Sequence, residues 1–481
     1  MLEALQKFFD VFGATIVVPV MIFIVSLFLK VSPKRAFFSA LRAGVGLTGF
    51  GWVISAFTPL VTKYIQQMVD TAGLNLPIVD IGWQTGSLTA FSSSIGLSFF
   101  VFGLLIELLL FLFGITRVFV PSNLWNNFGY MIWGTMAYAA TGNFILSFAF
   151  MVFVLLYSLI MSEVVAERWS EYYRVKNATI NSIHNIETLI PALVLDPLWN
   201  LIGINKVNPE SLKTKLGIFG EPMTLGFLLG MIIGILGSLK NLASLEAWGG
   251  ILGFAMSLAA VMTIFPLITG VFASAFGPLA EAVEKNKKKE SEEEDGLADK
   301  KRWFIAVDDG VGFGEPATII AGLILVPIMV LISLILPGNR ALPVVDLIAI
   351  PFMIEAMIAV SKGNILKAIL NGIVWFSLGL YAASALGPIY TEAVQQYGAV
   401  LPAGVVLIMS FNLLAHPLTA LVFFAWISGN PLWIGVTIAV YLVSLFFLRT
   451  KRESIYAYLR KMADKNSGFE GSKEKIMISE D

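Results

Sequence analysis

The chain has 481 residues, of which 57% are hydrophobic and only 14% charged, with a mean hydropathy of +0.81. That composition excludes a soluble globular protein and points to an all-α polytopic membrane protein. A net charge of −1 leaves no footprint for nucleic acid, and a chain with no cysteine and two histidines, His184 and His416, has no material for disulfides, a metal centre or a cysteine-borne phosphoryl group.

The first uncharged run, residues 11–29, is followed by Lys30, Lys34 and Arg35, which anchor a retained first span at an interface. The second, residues 43–62, carries Gly44, Gly46, Gly49 and Gly51, small residues that let another helix approach closely. A polar patch follows, in which Leu76-Pro77-Ile78-Val79-Asp80-Ile81-Gly82-Trp83 leads through Gln84, Thr85, Gly86, Ser87 and Thr89 into the apolar run 99–115. Uncharged Ser/Thr/Gly-rich sequence ahead of a span predicts a re-entrant hairpin lining a polar cavity. Residues 128–162 contain no Asp, Glu, Lys or Arg, and they exceed the ~20 residues of one crossing, so they hold one long tilted span or two short ones.

Residues 163–176 are charged and aromatic (Trp169, Tyr172, Tyr173) and read as an interfacial helix. The segment 177–196 carries Asn181, Ser182, His184, Asn185, Glu187 and Thr188, with Pro191 inside it and Pro197 just beyond, the pattern of a discontinuous helix. Further spans are predicted at 222–239, 249–280, 316–336, 342–360 and 368–385. The uncharged stretch 393–448 has room for two crossings and a hairpin around His416. The sum is roughly nine to twelve transmembrane helices with re-entrant hairpins. Residues 284–302 mix basic and acidic side chains and must lie outside the bilayer, their lysines favouring the cytoplasm. The expected organisation is an N-terminal membrane half (1–283), a charged cytoplasmic linker (284–302), a C-terminal membrane half (303–448) and a soluble tail (449–481).

The organising motif is Phe219-Gly220-Glu221-Pro222-Met223-Thr224 and its near copy Phe313-Gly314-Glu315-Pro316-Ala317-Thr318. Each sets a carboxylate between a glycine and a helix-initiating proline, where Glu221 with Thr224 and Glu315 with Thr318 either grip a hydroxylated solute or cap a helix. Residues 31–67 match 360–396 at a constant offset of 329, including Ser55-Ala56 with Ser384-Ala385 and Pro59 with Pro388, which predicts two related halves. The same comparison sets Ser87-Leu88-Thr89-Ala90 against Pro417-Leu418-Thr419-Ala420. Intramembrane ionisable groups are costly and need a partner or a wet cavity. Candidate solute contacts are therefore Asp80 and Asp346, each after a Leu-Pro-hydrophobic-Val lead, His184, Asn185 and His416, and the hydroxyls of Ser87, Thr89 and Thr419; helix capping and packing are the alternatives for each.

The run from Lys215 through Phe219-Gly220-Glu221-Pro222 to Gly237, then Leu336-Pro337-Gly338-Asn339-Arg340-Ala341-Leu342-Pro343 to Asp346, Ser361-Lys362-Gly363-Asn364, Val79-Asp80 to Trp83 and Thr116-Arg117-Val118 resembles the galactitol-type membrane component (enzyme IIC) of the phosphoenolpyruvate-dependent sugar phosphotransferase system. The resemblance implies a homodimeric carrier in the cell membrane, related to ascorbate-type components. It would move a polyol inward by an elevator-like motion while separate enzyme IIB and IIA proteins handle the phosphoryl group. No cofactor or metal is implied, and no catalytic nucleophile of the chain's own. The residues by themselves also admit an ion-coupled secondary transporter of a small polar solute, or, with no recognisable acid/base or nucleophile constellation, a membrane-embedded enzyme.

Overall fold

The structure, a computed structural model, describes residues 11–12, 14–72, 76–206, 222–279, 281–282, 303–343, 345–397, 401 and 406–466. In chain order the elements are α1 (Ala14–Phe28), α2 (Pro33–Ala72), β1 (Ile78–Asp80), α3 (Trp83–Ser92), α4 (Ser94–Leu112), β2 (Val118–Phe119), α5 (Phe128–Thr141), α6 (Phe144–Tyr172), β3 (Ala178–Ile180), α7 (Ile183–Ile186) and α8 (Leu189–Leu201). They continue as α9 (Pro222–Gly237), α10 (Leu245–Ala273), β4 (Phe304–Val307), α11 (Gly310–Phe313), α12 (Pro316–Ile335), β5 (Ala341–Leu342), α13 (Ile350–Met353), α14 (Glu355–Val360), α15 (Ile365–Gln396), β6 (Leu407–Met409), α16 (Phe411–Leu414), α17 (Pro417–Ile427) and α18 (Pro431–Asn466). Among the described residues six helices are long and apolar enough to cross a membrane, and shorter apolar helices include Val18–Phe28, Gly226–Gly237 and Pro417–Ile427.

The fold is helical, with one feature the hydropathy pattern did not announce. At several of the breaks between helices a short apolar run becomes a strand, and among the described residues six such strands form two parallel sheets, β5-β1-β6 and β2-β4-β3. Backbone without water must find partners inside the protein, and these sheets supply them. The strand order has a two-fold logic. β1 lies between β5 and β6 from later in the chain, and β4 lies between the earlier β2 and β3, so β1, β2 and β3 correspond to β4, β5 and β6. The edge contacts repeat as well: Ile78 N donates to Arg340 O at 3.1 Å, and Phe304 N to Arg117 O at 2.8 Å.

These equivalences run at offsets between 223 and 229 residues. The 329-residue register instead pairs α2 with α15. Both are long helices bent around a proline, Pro59 and Pro388, but α2 packs on α1, α9 and α10 whereas α15 packs on α12 and β6. Their shared residues record a shared helix type, and the related halves follow the strands.

Three further segments differ from the sequence pattern. Residues 163–176 do not form a separate surface helix: α6 runs on to Tyr172, with Glu163, Arg168 and Trp169 buried. Residues 342–360 are broken at Ile354 into α13 and α14, with most side chains inaccessible, because this apolar run is buried in protein and not in lipid. The tail begins as a continuation of α18, kinked at Lys451, whose Tyr456, Leu459 and Met462 are buried and whose Arg452 pairs with Glu163 at 2.5 Å. Residues 128–162 resolve into α5 and the first part of α6, separated by Gly142 at φ 63°.

Helices α1, α2, α9 and α10 form a group of their own, packed through small residues. A Cβ on Gly46 would lie 2.6 Å from Phe272, and one on Gly49 would lie 3.1 Å from Ile268; Gly51 faces open space. The charged linker 284–302, the terminal residues 467–481 and the first motif up to Glu221 lie outside the described residues.

Candidate functional site

Because both sheets are parallel, all three strands of each end at one edge, and the loops leaving that edge carry the polar side chains. This is the general position of ligand sites in parallel sheets, here at the scale of three short strands. A repeated tetrad begins each site: Val79-Asp80-Ile81-Gly82 after β1 and Val307-Asp308-Asp309-Gly310 after β4. In both, the first aspartate turns back on its own loop, with Gly82 N donating to Asp80 Oδ1 at 3.0 Å and Gly310 N to Asp308 Oδ1 at 2.8 Å.

At the first sheet, Asp80 and Asp346 are each 1% exposed and fully engaged. Asp80 Oδ2 accepts from Asp346 N at 2.7 Å and its Oδ1 from Phe411 N at 3.4 Å. Asp346 Oδ1 accepts from Trp83 N at 2.9 Å, and Oδ2 accepts from Ser410 Oγ at 2.5 Å and Asn412 N at 3.1 Å. Two carboxylates thereby fasten the loops after β1, β5 and β6 together. His416 belongs to the same loop system, its Nε2 meeting Asn412 O at 2.6 Å, as the N-cap residue of α17.

At the second sheet the equivalent of Asp346 is an amide. Asn123 Nδ2 donates to Asn181 Oδ1 at 2.8 Å and to Val307 O at 3.0 Å. Asp308 is half-buried, and its Oδ2 has Asn126 Nδ2 at 3.3 Å. Its neighbour Asp309 pairs with His184 Nε2. Asn185 bridges to the facing break, donating to Phe352 O at 2.7 Å and accepting from Ala356 N at 3.0 Å. Glu355, wholly buried, takes the indole N–H of Trp169 at 3.0 Å and presses against Gly312, where a Cβ would fall 2.3 Å from Oε2. Ser122, Asn123 and Asp308 line a narrow cleft together with Val18 and Met21 of α1 and Phe272 of α10.

A third carboxylate joins the two sets. Glu187, 0% exposed, accepts from Thr419 N at 2.9 Å and from the Thr419 hydroxyl, while Tyr157 OH lies 2.5 Å from that hydroxyl. A residue after β3 thus holds the N-terminus of α17, which follows β6.

The sequence candidates therefore separate. Asp80 and Asp346 meet each other; His184 and Asn185 join the Asp308 cluster; Thr419 meets Glu187. Ser87 and Thr89 are buried on α3, with Thr89 Oγ1 donating to Thr85 O at 2.9 Å inside its own helix. Thr224 lies in the first turn of α9, in the four-helix group. Glu221 lies outside the described residues. Glu315 is the N-cap of α12: Oε2 accepts from Thr318 N at 2.8 Å and Thr318 Oγ1 at 2.9 Å, just as Ser93 Oγ accepts from Gly96 N at 3.0 Å ahead of α4. Glu315→Ala is expected to cost about 1 kcal/mol and Glu315→Ser to recover most of it, since serine is a good cap. Melting curves of the purified variants check this, and equal losses for Ala and Ser would remove the cap.

Asp308, Asn123, Asn181, Glu187 and Glu355 were not picked out as site residues from the sequence. The signal for Asp308 was present, in the Val-Asp-x-Gly tetrad it shares with Asp80.

A family model described as EIIC-GAT, PTS system sugar-specific permease component, matches residues 7–404. The chain is 26% identical over 447 residues to the "PTS system galactitol-specific EIIC component" of Escherichia coli (strain K12), covering 92% of this chain and 95% of that protein, and equally to its counterpart in Escherichia coli O157:H7. It is 25% identical over 389 residues to a "Putative permease IIC component" of Escherichia coli (strain K12), covering 80% and 86%.

Proposed function

The chain belongs to the family of PTS system sugar-specific permease components, and from that premise we propose that it is an integral membrane carrier whose solute is a sugar alcohol of the galactitol class, delivered to a partner enzyme IIB for phosphorylation. The observation that best supports the polyol is the character of the cleft lining. One neutral amide, a hydroxyl and one half-buried carboxylate suit a neutral solute with many hydroxyls, each of which donates and accepts. A carboxylate can take two donors from adjacent hydroxyls, and amides can return bonds to their oxygens. His184 pairs with Asp309, the neighbour of Asp308, and Asn185 is tied to the break between α13 and α14.

In this reading the second repeat starts at α9, the charged segment 284–302 is a cytoplasmic surface loop within it, and the carrier works as a homodimer. Galactitol uptake by cells carrying this chain should require the partner enzymes and phosphoenolpyruvate, and should survive collapse of the proton gradient when phosphoenolpyruvate is maintained. Uptake that stops with the gradient and ignores the partner enzymes would establish an ion-coupled transporter in its place.

A further inference from the structure

We infer that Glu107 carries a proton at neutral pH and closes with Asn127 into a cyclic acid–amide pair, which makes it the positioning residue of the segment Val120–Asn127 after β2. Formation of the pair is independent of the solute.

Glu107 lies on α4, 1% exposed, in a run of leucine, isoleucine and phenylalanine, and Asn127, 0% exposed, is the N-cap residue of α5. One bond joins them, Asn127 Nδ2 donating to Glu107 Oε1 at 2.8 Å. The remaining side-chain oxygens, Glu107 Oε2 and Asn127 Oδ1, are both buried without a partner, and both are only acceptors as long as the glutamate is ionised. An N-cap asparagine ordinarily spends its oxygen on the first free amides of the helix, and Asn127 does not. A proton on Oε2 satisfies both atoms at once: the carboxyl accepts the amide N–H on one oxygen and returns its O–H to the amide oxygen from the other.

The surroundings agree. Asp80 and Asp346 are equally buried, but Asp80 accepts from three N–H groups and Asp346 from two N–H groups and a hydroxyl. Glu107 has a single neutral donor, too little to hold a charge away from water. No cation stands opposite it among the described residues. Of the elements packed on α4, α3, β2 and residues 120–127 hold no ionisable side chain, and the charged groups of α6 begin only at Glu163, which Arg452 matches. Helix α5 brings Tyr130, whose hydroxyl is committed to Ser158 and Asn181 O. Glu187 and Glu355 also leave one oxygen unpaired, but the residues that bond them, Thr419 and Trp169, leave no acceptor over. Only at Glu107 do two orphan oxygens fall on bonded partners.

Segment 120–127 carries its polar side chains to the end of β4, where Ser122 Oγ donates to Ala306 O at 2.6 Å and Asn126 Nδ2 to Asp308 Oδ2 at 3.3 Å. Those bonds fix it to the sheet. The pair with Glu107 fixes its far end to α4 without placing a charge inside the bilayer, where a charge is costly.

The test is the infrared spectrum of the purified full-length protein near neutral pH, where a solvated glutamate is ionised. Subtracting the spectrum of Glu107→Gln from the parent's should leave a protonated-carboxyl C=O band on the high-frequency side of amide I. Asn127→Ala should move that band to higher frequency, since the carboxyl has lost its hydrogen bonds. Glu107→Gln should melt within about 1 °C of the parent, because a primary amide donates and accepts at the same two positions, whereas Glu107→Ala should melt about 2–6 °C lower. The chain has no cysteine, so a single Ser122→Cys reports on the segment; its alkylation should be slow beside Glu107 or Glu107→Gln and several-fold faster beside Glu107→Ala. The absence of the difference band, a band that Asn127→Ala leaves unmoved, or a glutamine variant as unstable as the alanine one overturns the acid–amide pair. Equal alkylation in all three backgrounds overturns the positioning role.

Discussion

Asp346→Ala is expected to be the most damaging single truncation in the strand-end clusters. It leaves Asn412 N, the Ser410 hydroxyl and the part-buried Trp83 N without their acceptor, while Asp80 keeps the main-chain N–H of position 346 but loses the carboxylate that tied that loop to the other two. Removing one member of a buried ionic or hydrogen-bonded set costs about 3–5 kcal/mol, because the remaining partners keep their desolvation penalty. The loops after β1, β5 and β6 come from three distant parts of the chain, so the damage spreads beyond one helix. Fluorescence-detected size-exclusion chromatography and thermal unfolding of the detergent-solubilised protein should show a sharp loss of monodisperse material. Asp346→Asn keeps one acceptor and should fall between the two. An alanine variant that melts with the parent would mean that water or another group satisfies those donors, and the fastening would not exist.

Gly230→Leu is expected to separate α9 from α10. Gly226, Gly230 and Gly234 recur every four residues along one face of α9, and α10 meets that face at backbone distance: a Cβ on Gly230 would lie 2.5 Å from Ala255 Cα, one on Gly226 2.9 Å from Ala259 Cα, and one on Gly234 3.0 Å from Ile251. Between helices in lipid there is little hydrophobic drive, so close packing through small residues carries the association. A leucine at Gly230 has no flexible neighbour to displace, since the obstacle is main chain, and overpacking of this kind costs about 1–3 kcal/mol or more. The expected result is a lower melting temperature and, because α10 also walls the cleft at Phe272, weaker galactitol binding in the surviving protein. The conservative Gly230→Ala should show a smaller loss of the same sign. Full stability for the leucine variant would show that the two helices are not held at this distance.

Glu315 shows how local and tertiary information divide. Its position between Gly314 and Pro316 was readable as the start of a helix, and it does start α12, because capping is settled by a few consecutive residues. The same holds for the long apolar runs, for Gly46 and Gly49 as close-packing sites, and for the break after Asn181. Asp80 and Asp346 stood out because each follows Leu-Pro-hydrophobic-Val, yet nothing in either neighbourhood announced that the two would share one buried set of donors. Apolar residues 342–360 looked like a span, since hydropathy measures exclusion from water and cannot distinguish lipid from protein as the apolar surrounding. The shared residues of α2 and α15 suggested one repeat register, whereas strand pairing runs at another, because similar bent helices recur in unlike places. Asp308 was hidden behind the charged stretch 284–302, with only Trp303 and the four residues of β4 between them and its sheet neighbours more than a hundred residues away. From sequence alone came the membrane class, the broken helices and the family resemblance, all of which depend on composition or on residues adjacent in the chain. The tertiary structure decided which broken ends meet and which carboxylates share one set of buried donors, because parallel pairing between distant strands depends on backbone partners that no local pattern encodes.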